Sequence, residues 1–498
     1  HINEQIFPIH HNERRWLSPT DGAIGSLWLA SLTKLSTNDV AKRLKVVVTR
    51  DQNQLNQIET ELRFCGIDAH VFPDWETVSY DELSPHQDIV SERINLLTDM
   101  PTDGILLVSV QTLMQRVAPP SWLIGQHFDL QVGQIFDIES QRQMLAKAGY
   151  RAVDNVFEPG EFAIRGSVID IFAMGQPFPL RLDLFDDEVD TMRFFNPQTQ
   201  RTLSQQDLTD MMSGKGEWAD KENNLSPLHK LPDLSKPLSS FQILPAKEFP
   251  LEDGKETFRN NFAAMFPNTS SRKFELFHDV MQGLAPAGVE YYQPLFFDSD
   301  NWHDEGNLFA YLSSDALFIL DEQAQIRAEQ FFAQISGRYE ERRHDIDKPI
   351  VAPQQLYLPI DELNGKLKSF ARVLLCEERQ QLESGHGQVV FEQVAKPPSL
   401  PVNHHKPEPL EELLRFVNDN PIPILLVAET AGRREILLDL LKDKLNIKQF
   451  AHFADFLQMG AGQSDLVGMT VAPLERGVYV PNRLAIISET QLFGRPVL

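Results

Sequence analysis

Residues 158–195 read EPGEFAIRGSVIDIFAMGQPFPLRLDLFDDEVDTMRFF. Apolar and polar residues alternate along this stretch, and Gly160, Gly166, Gly175 and the pair Asp186-Asp187 interrupt it at intervals. Alternation with a period of two, broken by turn residues, is typical of a small antiparallel sheet. We therefore expect a compact sheet here, with the rest of the chain organised around it.

The two faces of this predicted sheet differ in chemistry. Successive strand side chains point to opposite sides, so LRLDLF (residues 180–185) places its leucines on one face and Arg181 and Phe185 on the other. Arg165 lies on the polar side of its own strand, EFAIR (residues 161–165). Gly166 is either a bulge or a tight turn, so the alternation beyond it stays open.

Two arginines and an aromatic ring on one exposed face have the composition of a protein-interaction hot spot. An alternative interpretation is that Arg181 pairs with Asp183 or Asp187 and that Phe185 folds back onto the core. The residues alone leave both interpretations open.

The same stretch, most strongly FAIRGSVIDIFAMG (residues 162–175), resembles the small second domain shared by UvrB and the bacterial transcription-repair coupling factors, Mfd. UvrB is the helicase subunit of excision repair, and in this family the corresponding surface binds UvrA. The resemblance implies UvrA as a partner. It also implies that Arg165, Arg181 and Phe185 contact it.

Length and composition indicate a globular chain of several domains. The chain has 498 residues, 42% of them hydrophobic, which predicts three or four domains. No apolar run approaches the roughly 20 residues of a membrane span, and no signal peptide is evident. The start lacks methionine, so we expect a piece of a longer protein. Cys65 and Cys376 stand alone, which excludes a disulfide framework or a cysteine-based zinc site and fits a reducing cytoplasm.

The charge balance limits the kinds of partner. The chain carries 71 acidic and 46 basic residues, a formal net charge of −25. Binding to a phosphate backbone depends on clustered Lys and Arg, and no such run occurs in the sequence. The composition therefore opposes non-specific DNA binding by the chain as a whole and favours partners with basic surfaces.

Alternating strands and helices predict an α/β fold. KVVVT (residues 45–49) and GILLV (residues 104–108) are typical of buried parallel strands. We expect a discontinuous, degenerate helicase-like parallel-sheet domain over residues 1–120 and 241–348. A small α+β domain, the expected UvrA-binding domain, is inserted at 121–203.

Two further segments complete the predicted organisation. Residues 204–240 are rich in polar residues, Pro and Ser, which predicts a flexible insertion. Residues 349–498 are expected to form a separate α/β domain with strands in VLLCEE (373–378), PILLVAE (423–429) and LAIISE (484–489).

The first domain resembles the same family. The segments FPDWETVSYDELSPHQDIVSERI (residues 72–94) and PAGVEYYQPLFF (residues 286–297) are the strongest matches. UvrB carries a DNA-probing aromatic hairpin in this region. Here Tyr80 is followed almost at once by Ser84-Pro85, which leaves no room for that hairpin and argues against damage verification.

A nucleotide site is predicted to have decayed. A phosphate-binding loop requires Gly-x-x-x-x-Gly-Lys-Ser/Thr, because backbone amides and the Lys hold the phosphates. SPTDGAIGSLWLASL (residues 18–32) precedes a predicted helix and retains Gly22 and Gly25, but Ala23 or Ile24 stands in the position of the Lys. We expect a degenerate site that holds no ATP, similar to that of the first domain of Mfd.

Asp321-Glu322 follows the strand LFIL and has the form of a Walker B element, in which Asp holds Mg²⁺ and Glu orients the attacking water. Acidic residues also often end strands, and the continuation is DEQA rather than DESH. Without the Lys, we expect a relic rather than an active ATPase.

No other chemistry is indicated. The pairs His10-His11 and His404-His405 lack the i, i+4 spacing of a helical metal site, and the acidic run at residues 186–190 lacks the glycine of a calcium loop. No Ser-His-Asp or Cys-His arrangement can be placed. We therefore predict no catalytic residues, no metal ligands and no cofactor for this chain.

The resemblance implies the amino-terminal recruitment module of a coupling factor, which binds UvrA to bring excision repair to stalled RNA polymerase. The full-length protein is then expected to be an ATP- and Mg²⁺-dependent DNA translocase. RNA polymerase and DNA would bind beyond this chain, and the protein's own carboxy-terminal domain would cover the UvrA face. The alternatives are an active UvrB-like ATPase or helicase subunit, or a direct DNA-binding module.

Overall fold

The computed structural model describes residues 2–7, 9–34, 39–212, 234–378, 387–391 and 393–494. Its strands, in chain order, are β1 (Arg14–Ser18), β2 (Lys45–Thr49), β3 (His70–Val71), β4 (Ile105–Ser109), β5 (Phe128–Gln131), β6 (Arg151–Ala152), β7 (Glu161–Arg165), β8 (Val168–Ile171), β9 (Leu180–Phe185), β10 (Glu188–Phe194), β11 (Ser240–Ile243), β12 (Leu317–Asp321), β13 (Ala371–Leu375), β14 (Gln388–Val390), β15 (Ile424–Ala428), β16 (Ile447–Gln449), β17 (Val467–Val471), β18 (Val478–Val480) and β19 (Leu484–Ser488).

The helices follow in the same way. They are α1 (Ile2–Ile6), α2 (Ile24–Leu32), α3 (Gln52–Phe64), α4 (Gln87–Thr98), α5 (Val110–Met114), α6 (Pro120–Leu123), α7 (Ile138–Lys147), α8 (Gln205–Met212), α9 (Lys255–Met265), α10 (Glu275–Met281), α11 (Ser299–Glu305), α12 (Ala324–Arg342), α13 (Pro353–Leu356), α14 (Ile360–Lys368), α15 (Glu411–Asp419), α16 (Ala431–Leu441), α17 (Phe453–Gly460) and α18 (Glu489–Phe493).

The first unit is built on a parallel sheet with the strand order β14-β1-β13-β12-β2-β4-β3. Both of its faces are covered, because Val46 and Val48 of β2 enter one hydrophobic core while Val47 enters another. Burial on both sides explains why the strand sequences are continuously apolar. The strands come from before and after the second unit, so the predicted discontinuous α/β domain is confirmed.

The two first-domain segments that carry the family resemblance, residues 72–94 and 286–297, contribute to the core of the first unit. Trp75 contacts Tyr291 edge to face at 5.7 Å. The hydroxyl of Tyr80 donates to the carbonyl of Val351 at 2.8 Å. Residues 81–86, all described, contain no strand before α4 begins at Gln87, so the predicted absence of a hairpin there is confirmed.

The second unit is a mostly antiparallel sheet with the order β10-β9-β8-β7-β6, beside the β5–β11 pair. Its inner face and α7 share one core, to which α7 contributes Leu145. Asp137 begins α7 by accepting a hydrogen bond from the amide of Ser140 at 3.1 Å, as capping side chains do. Gly149 follows the helix with φ +89°, the left-handed conformation that glycine tolerates best.

The predicted flexible insertion at 204–240 is wrong in part. Residues 205–212 form α8, and Met211 is buried in the core of the second unit together with Leu234. The segment is polar on average, so its composition did not predict that Met211 and Leu234 are buried. These two residues attach the described ends of the segment to the core of the second unit. Residues 213–233 lie outside the described part of the chain.

The third unit has the sheet order β16-β17-β15-β19-β18, parallel except at β18. The prediction that VLLCEE belongs to this unit is wrong. Its strand, β13, pairs in parallel with β1 and β12 and so completes the first sheet. An apolar strand carries no local signal of which neighbours it pairs with, because pairing is decided by tertiary packing.

Candidate protein-docking surface and nucleotide position

Two-residue turns set the geometry of the second sheet. Gly166, with φ +62°, lies in the turn between β7 and β8, and Asp186, with φ +57°, lies in the turn between β9 and β10. Arg165 pairs with Val168 directly across the first turn, so Gly166 belongs to a tight turn rather than a bulge. Short turns of this kind fix strand register.

This register separates an inner from an outer face. The leucines of β9 are buried in the core, whereas Arg181 and Phe185 point the other way. Asp170 of β8 lies directly opposite Arg181 of β9. Val168, two residues before Asp170, lies opposite Arg165 of β7, so Arg165 is on the same face. We call the side that carries Arg165, Asp170, Arg181 and Phe185 the outer face.

Asp170 brings the two arginines together. Its side chain is only 1% exposed, and its two carboxylate oxygens accept from Nε and Nη2 of Arg181 at 2.7 and 2.8 Å. Nη2 of Arg165 donates to the same carboxylate at 2.6 Å. The hydrogen bond to Asp170 raises the pKa of Arg181 above its ordinary value. One buried carboxylate therefore orients both guanidinium groups.

The two arginines differ in how much of each remains available. Arg181 is 22% exposed, donates to the backbone and side-chain oxygens of Gln200 at 3.2 and 3.0 Å, and lies 4.2 Å from the ring centre of Phe195. Arg165 is 43% exposed and donates additionally to Asn155 at 2.7 Å. Arg165 thus offers more free surface to a partner, while Arg181 is held largely by its own domain.

Phe185 is the last residue of β9, next to the turn of the β9–β10 hairpin, and its side chain is 74% exposed. The alternative interpretation, in which this ring folds onto the core, is therefore wrong. The same interpretation named Asp183 or Asp187 as the ion-pair partner of Arg181. The carboxylate that bonds to Arg181 is instead Asp170, which belongs to the neighbouring strand.

Ile135 extends the apolar part of this face and was missed in the sequence. It forms a bridge with Glu188, which pairs with Phe185 on its other side. Residues directly opposite one another on antiparallel strands share a face, so Ile135, 65% exposed, and Phe185 flank Glu188. No local pattern marks Ile135, because its place depends on a bridge to a distant hairpin.

The residues predicted to form a degenerate nucleotide site lie at the carboxyl edge of the first sheet, and we call this place the nucleotide position. Gly22, with φ +66°, follows β1, and the buried Ala23 directly precedes α2. Ala23 and Ile24 are both buried apolar residues, and Gly25 lies inside α2. The two positions that could correspond to the Lys of a phosphate-binding loop are therefore both occupied by buried apolar side chains.

Asp321 is the last residue of β12 and Glu322 follows it, and β13 separates β12 from β1 in the sheet order. The side-chain amide of Gln54 donates to Asp321 at 2.7 Å, and Nη1 of Arg50 lies 3.8 Å from the same carboxylate. Glu322 accepts from the backbone amide of Glu377 at 3.1 Å. Both carboxylates thus bond to the protein itself, and their role as a relic stays a prediction.

Within the described residues, no group of three or more His, Cys, Asp or Glu side chains is arranged to hold a metal ion. Nor does any helix of this part of the chain have the length and apolar character needed to cross a membrane.

Comparison with known proteins identifies the family. The model of the UvrB interaction domain matches residues 128–215, and that of the MFD D3 domain matches residues 416–492. The transcription-repair-coupling factor of Haemophilus influenzae is 34% identical over 491 residues, which cover 96% of this chain. This chain matches the amino-terminal region of transcription-repair-coupling factors. The resemblance to the amino-terminal region of Mfd is thereby confirmed.

Two further coupling factors match. That of Escherichia coli K12 is 31% identical over 501 residues, or 98% of this chain. That of Mycobacterium tuberculosis is 31% identical over 173 residues, which cover 33% of this chain and 14% of the relative. The chain spans 39% of the length of the Haemophilus and Escherichia proteins. Because this chain corresponds to less than half of a coupling factor, the activities of the whole protein are treated as proposals below.

Proposed function

We propose that this chain is the recruitment module of a transcription-repair coupling factor and that its outer face binds UvrA. The observation that carries the proposal is that Arg165 and Arg181 meet at the buried Asp170 and that the exposed Phe185 lies on the same face of the sheet. The match of residues 128–215 to the UvrB interaction domain supports the same site.

In this proposal the three side chains have different tasks. Phe185 contributes apolar area that is removed from water on binding. Arg165 has exposed guanidinium surface for charge-assisted hydrogen bonds to carboxylates of the partner. Arg181 is mainly a positioning residue, because most of its donors bond to Asp170 and Gln200.

The test is a calorimetric titration of UvrA with the wild-type chain, Phe185→Ala and Arg165→Ala. We expect the wild type to bind without ATP. Each substitution should weaken binding by about 2 kcal/mol, roughly 30-fold in Kd, because truncation of a central interface residue typically costs this much.

Arg142→Ala is the matched control. Arg142 is an exposed arginine on α7, whose Leu145 packs in the core beneath the opposite, inner face. This variant should bind UvrA like the wild type. Unchanged affinity in both Phe185→Ala and Arg165→Ala would overturn the proposed site.

In this proposal the whole protein is an ATP- and Mg²⁺-dependent DNA translocase that displaces stalled RNA polymerase in the cytoplasm. RNA polymerase and DNA bind outside this chain, and the carboxy-terminal domain of the protein covers the outer face until activation. The chain itself is not an enzyme. Saturable micromolar binding of a fluorescent ATP analogue would favour the ATPase alternative, and duplex binding with a steep salt dependence would favour direct DNA binding.

A further inference from the structure

The loop between β17 and β18 reaches the nucleotide position of the first unit. The backbone amide of Ala23 donates to the carbonyl oxygen of Gly477 at 3.0 Å. A Cβ atom added to Gly22 would lie 2.2 Å from this oxygen and 2.8 Å from Cγ of Pro397. The amide just before α2, where a phosphate loop would hold its ligand, is therefore bonded to the third unit.

An ion pair accompanies this backbone contact. Nε and Nη2 of Arg476 donate to the two carboxylate oxygens of Glu61 on α3 at 2.8 and 2.9 Å. Glu61 is 1% exposed and also accepts from the hydroxyl of Ser26, which belongs to α2, at 2.5 Å. Arg476 thus ties the third unit to both helices that flank the nucleotide position.

The surrounding charges keep Arg476 in its cationic form. Burial opposes the charge, but the Glu61 carboxylate, with smaller contributions from Glu377 and Asp321, raises the pKa of Arg476 above its ordinary value. The guanidinium therefore stays charged in its ion pair with Glu61.

Residues 475–478, which make these contacts, are held in place by other residues of the third unit. The carbonyl of Glu475 accepts from the hydroxyls of Ser488, at 2.8 Å, and Thr490. A Cβ atom on Gly477 would lie 2.1 Å from Oε1 of Gln491 and 2.3 Å from the carbonyl of Ile486. Only glycine fits here, so the segment is held in place by its own domain.

We propose that residues 475–478 are the resident occupant of the former nucleotide position and exclude nucleoside triphosphates from it. The Gly477 carbonyl accepts the hydrogen bond from the Ala23 amide that a phosphate group would otherwise accept. The ion pair of Arg476 with Glu61 holds the third unit against α2 and α3. The former nucleotide position is then a contact between the first and third units. This inference is independent of the proposed UvrA site.

Hydrogen exchange followed by mass spectrometry tests the lock. In Arg476→Ala, we expect the peptide that contains Ala23 to exchange at least tenfold faster, because Glu61 loses its ion-pair partner and the Gly477 contact loosens. Arg483→Ala, an exposed arginine between β18 and β19, is the matched control and should leave exchange unchanged. Unchanged exchange in Arg476→Ala overturns the proposal.

Glu61→Gln guards against simple misfolding, since it keeps the side-chain shape and retains Arg476. This variant should increase the exchange rate of the peptide that contains Ala23. The exchange rates of β7–β9 in the second unit should stay as in the wild type. A titration with fluorescent ATP analogue supplies the second readout. No saturation below about millimolar concentration is expected for the wild type. Micromolar binding that leaves exchange of residues 475–478 unchanged overturns the proposal.

Discussion

At the residue scale, Asp170 decides how the outer face is arranged. It is almost fully buried, so it cannot contribute much contact area to a partner, yet both arginines bond to its carboxylate. A buried carboxylate with two cationic partners is stable only while both charges stay in place. The proposed docking surface therefore depends on a residue that contributes little contact area of its own.

Asp170→Asn tests this dependence. The amide preserves the size of the side chain, but it removes the negative charge and places donor against donor. We expect the free energy of unfolding of the second unit to fall by about 3 kcal/mol, the cost typical of breaking a buried pair. Affinity for UvrA should fall at least tenfold, measured by calorimetry at a temperature where the chain is still folded.

Asp183→Asn is the control for Asp170→Asn. Asp183 is exposed on the same face and accepts only a long hydrogen bond from Thr191, at 3.2 Å, among those found in the described residues. This variant should leave the free energy of unfolding of the second unit and the affinity for UvrA nearly unchanged. Equal losses in the two variants would show that the charge of the face, and not the orientation of the arginines, matters.

At the scale of elements, the two-residue turns keep Arg165 and Phe185 on one side of the sheet. A slip of one residue would turn every side chain of a strand to the other face. The turn at Gly166 has open space around it, since no atom would lie within 4 Å of an added Cβ. Its requirement for glycine therefore comes from the positive φ alone.

Gly166→Ala should accordingly destabilise the second unit by about 1 kcal/mol, the cost of a left-handed conformation for a residue with a Cβ. Gly166→Asn should cost less, because Asn tolerates this conformation better. Urea unfolding monitors both variants. UvrA affinity should be retained in both, and a large loss of binding would show that the turn itself contacts the partner.

At the scale of the whole molecule, the first and third units share one hydrophobic core. Phe453 and Phe456 of α17 lie in the same cluster as Val47 of β2 and Leu29 of α2. The rings of Phe64 and Phe453 stack with their centres 4.7 Å apart. These two units are therefore expected to unfold together, while the second unit has a core of its own.

Phe453→Ala tests this coupling by differential scanning calorimetry. Removing the buried ring should destabilise the transition shared by the first and third units by about 3–5 kcal/mol, as is typical of Phe-to-Ala changes in cores. The transition of the second unit should stay in place. Phe157→Ala, which removes an exposed ring, is the control. Loss confined to the third unit would contradict a common core.

Local sequence determined the elements and much of the outer face. Periods of two and 3.6 report which side of an element is buried, so KVVVT, LRLDLF and the helix from Gln52 were predictable within a few residues. The opposite directions of Leu182 and Arg181 follow from strand geometry alone.

Tertiary structure alone decided which distant groups meet. β13 joins the first sheet, Arg181 bonds to Asp170 rather than Asp183, Ile135 bridges to Glu188, and Arg476 reaches Glu61 across 415 positions of sequence. Periodicity encodes burial but not partners. Strand pairing and buried ion pairs depend on the packing of the whole chain, and no local pattern contains that information.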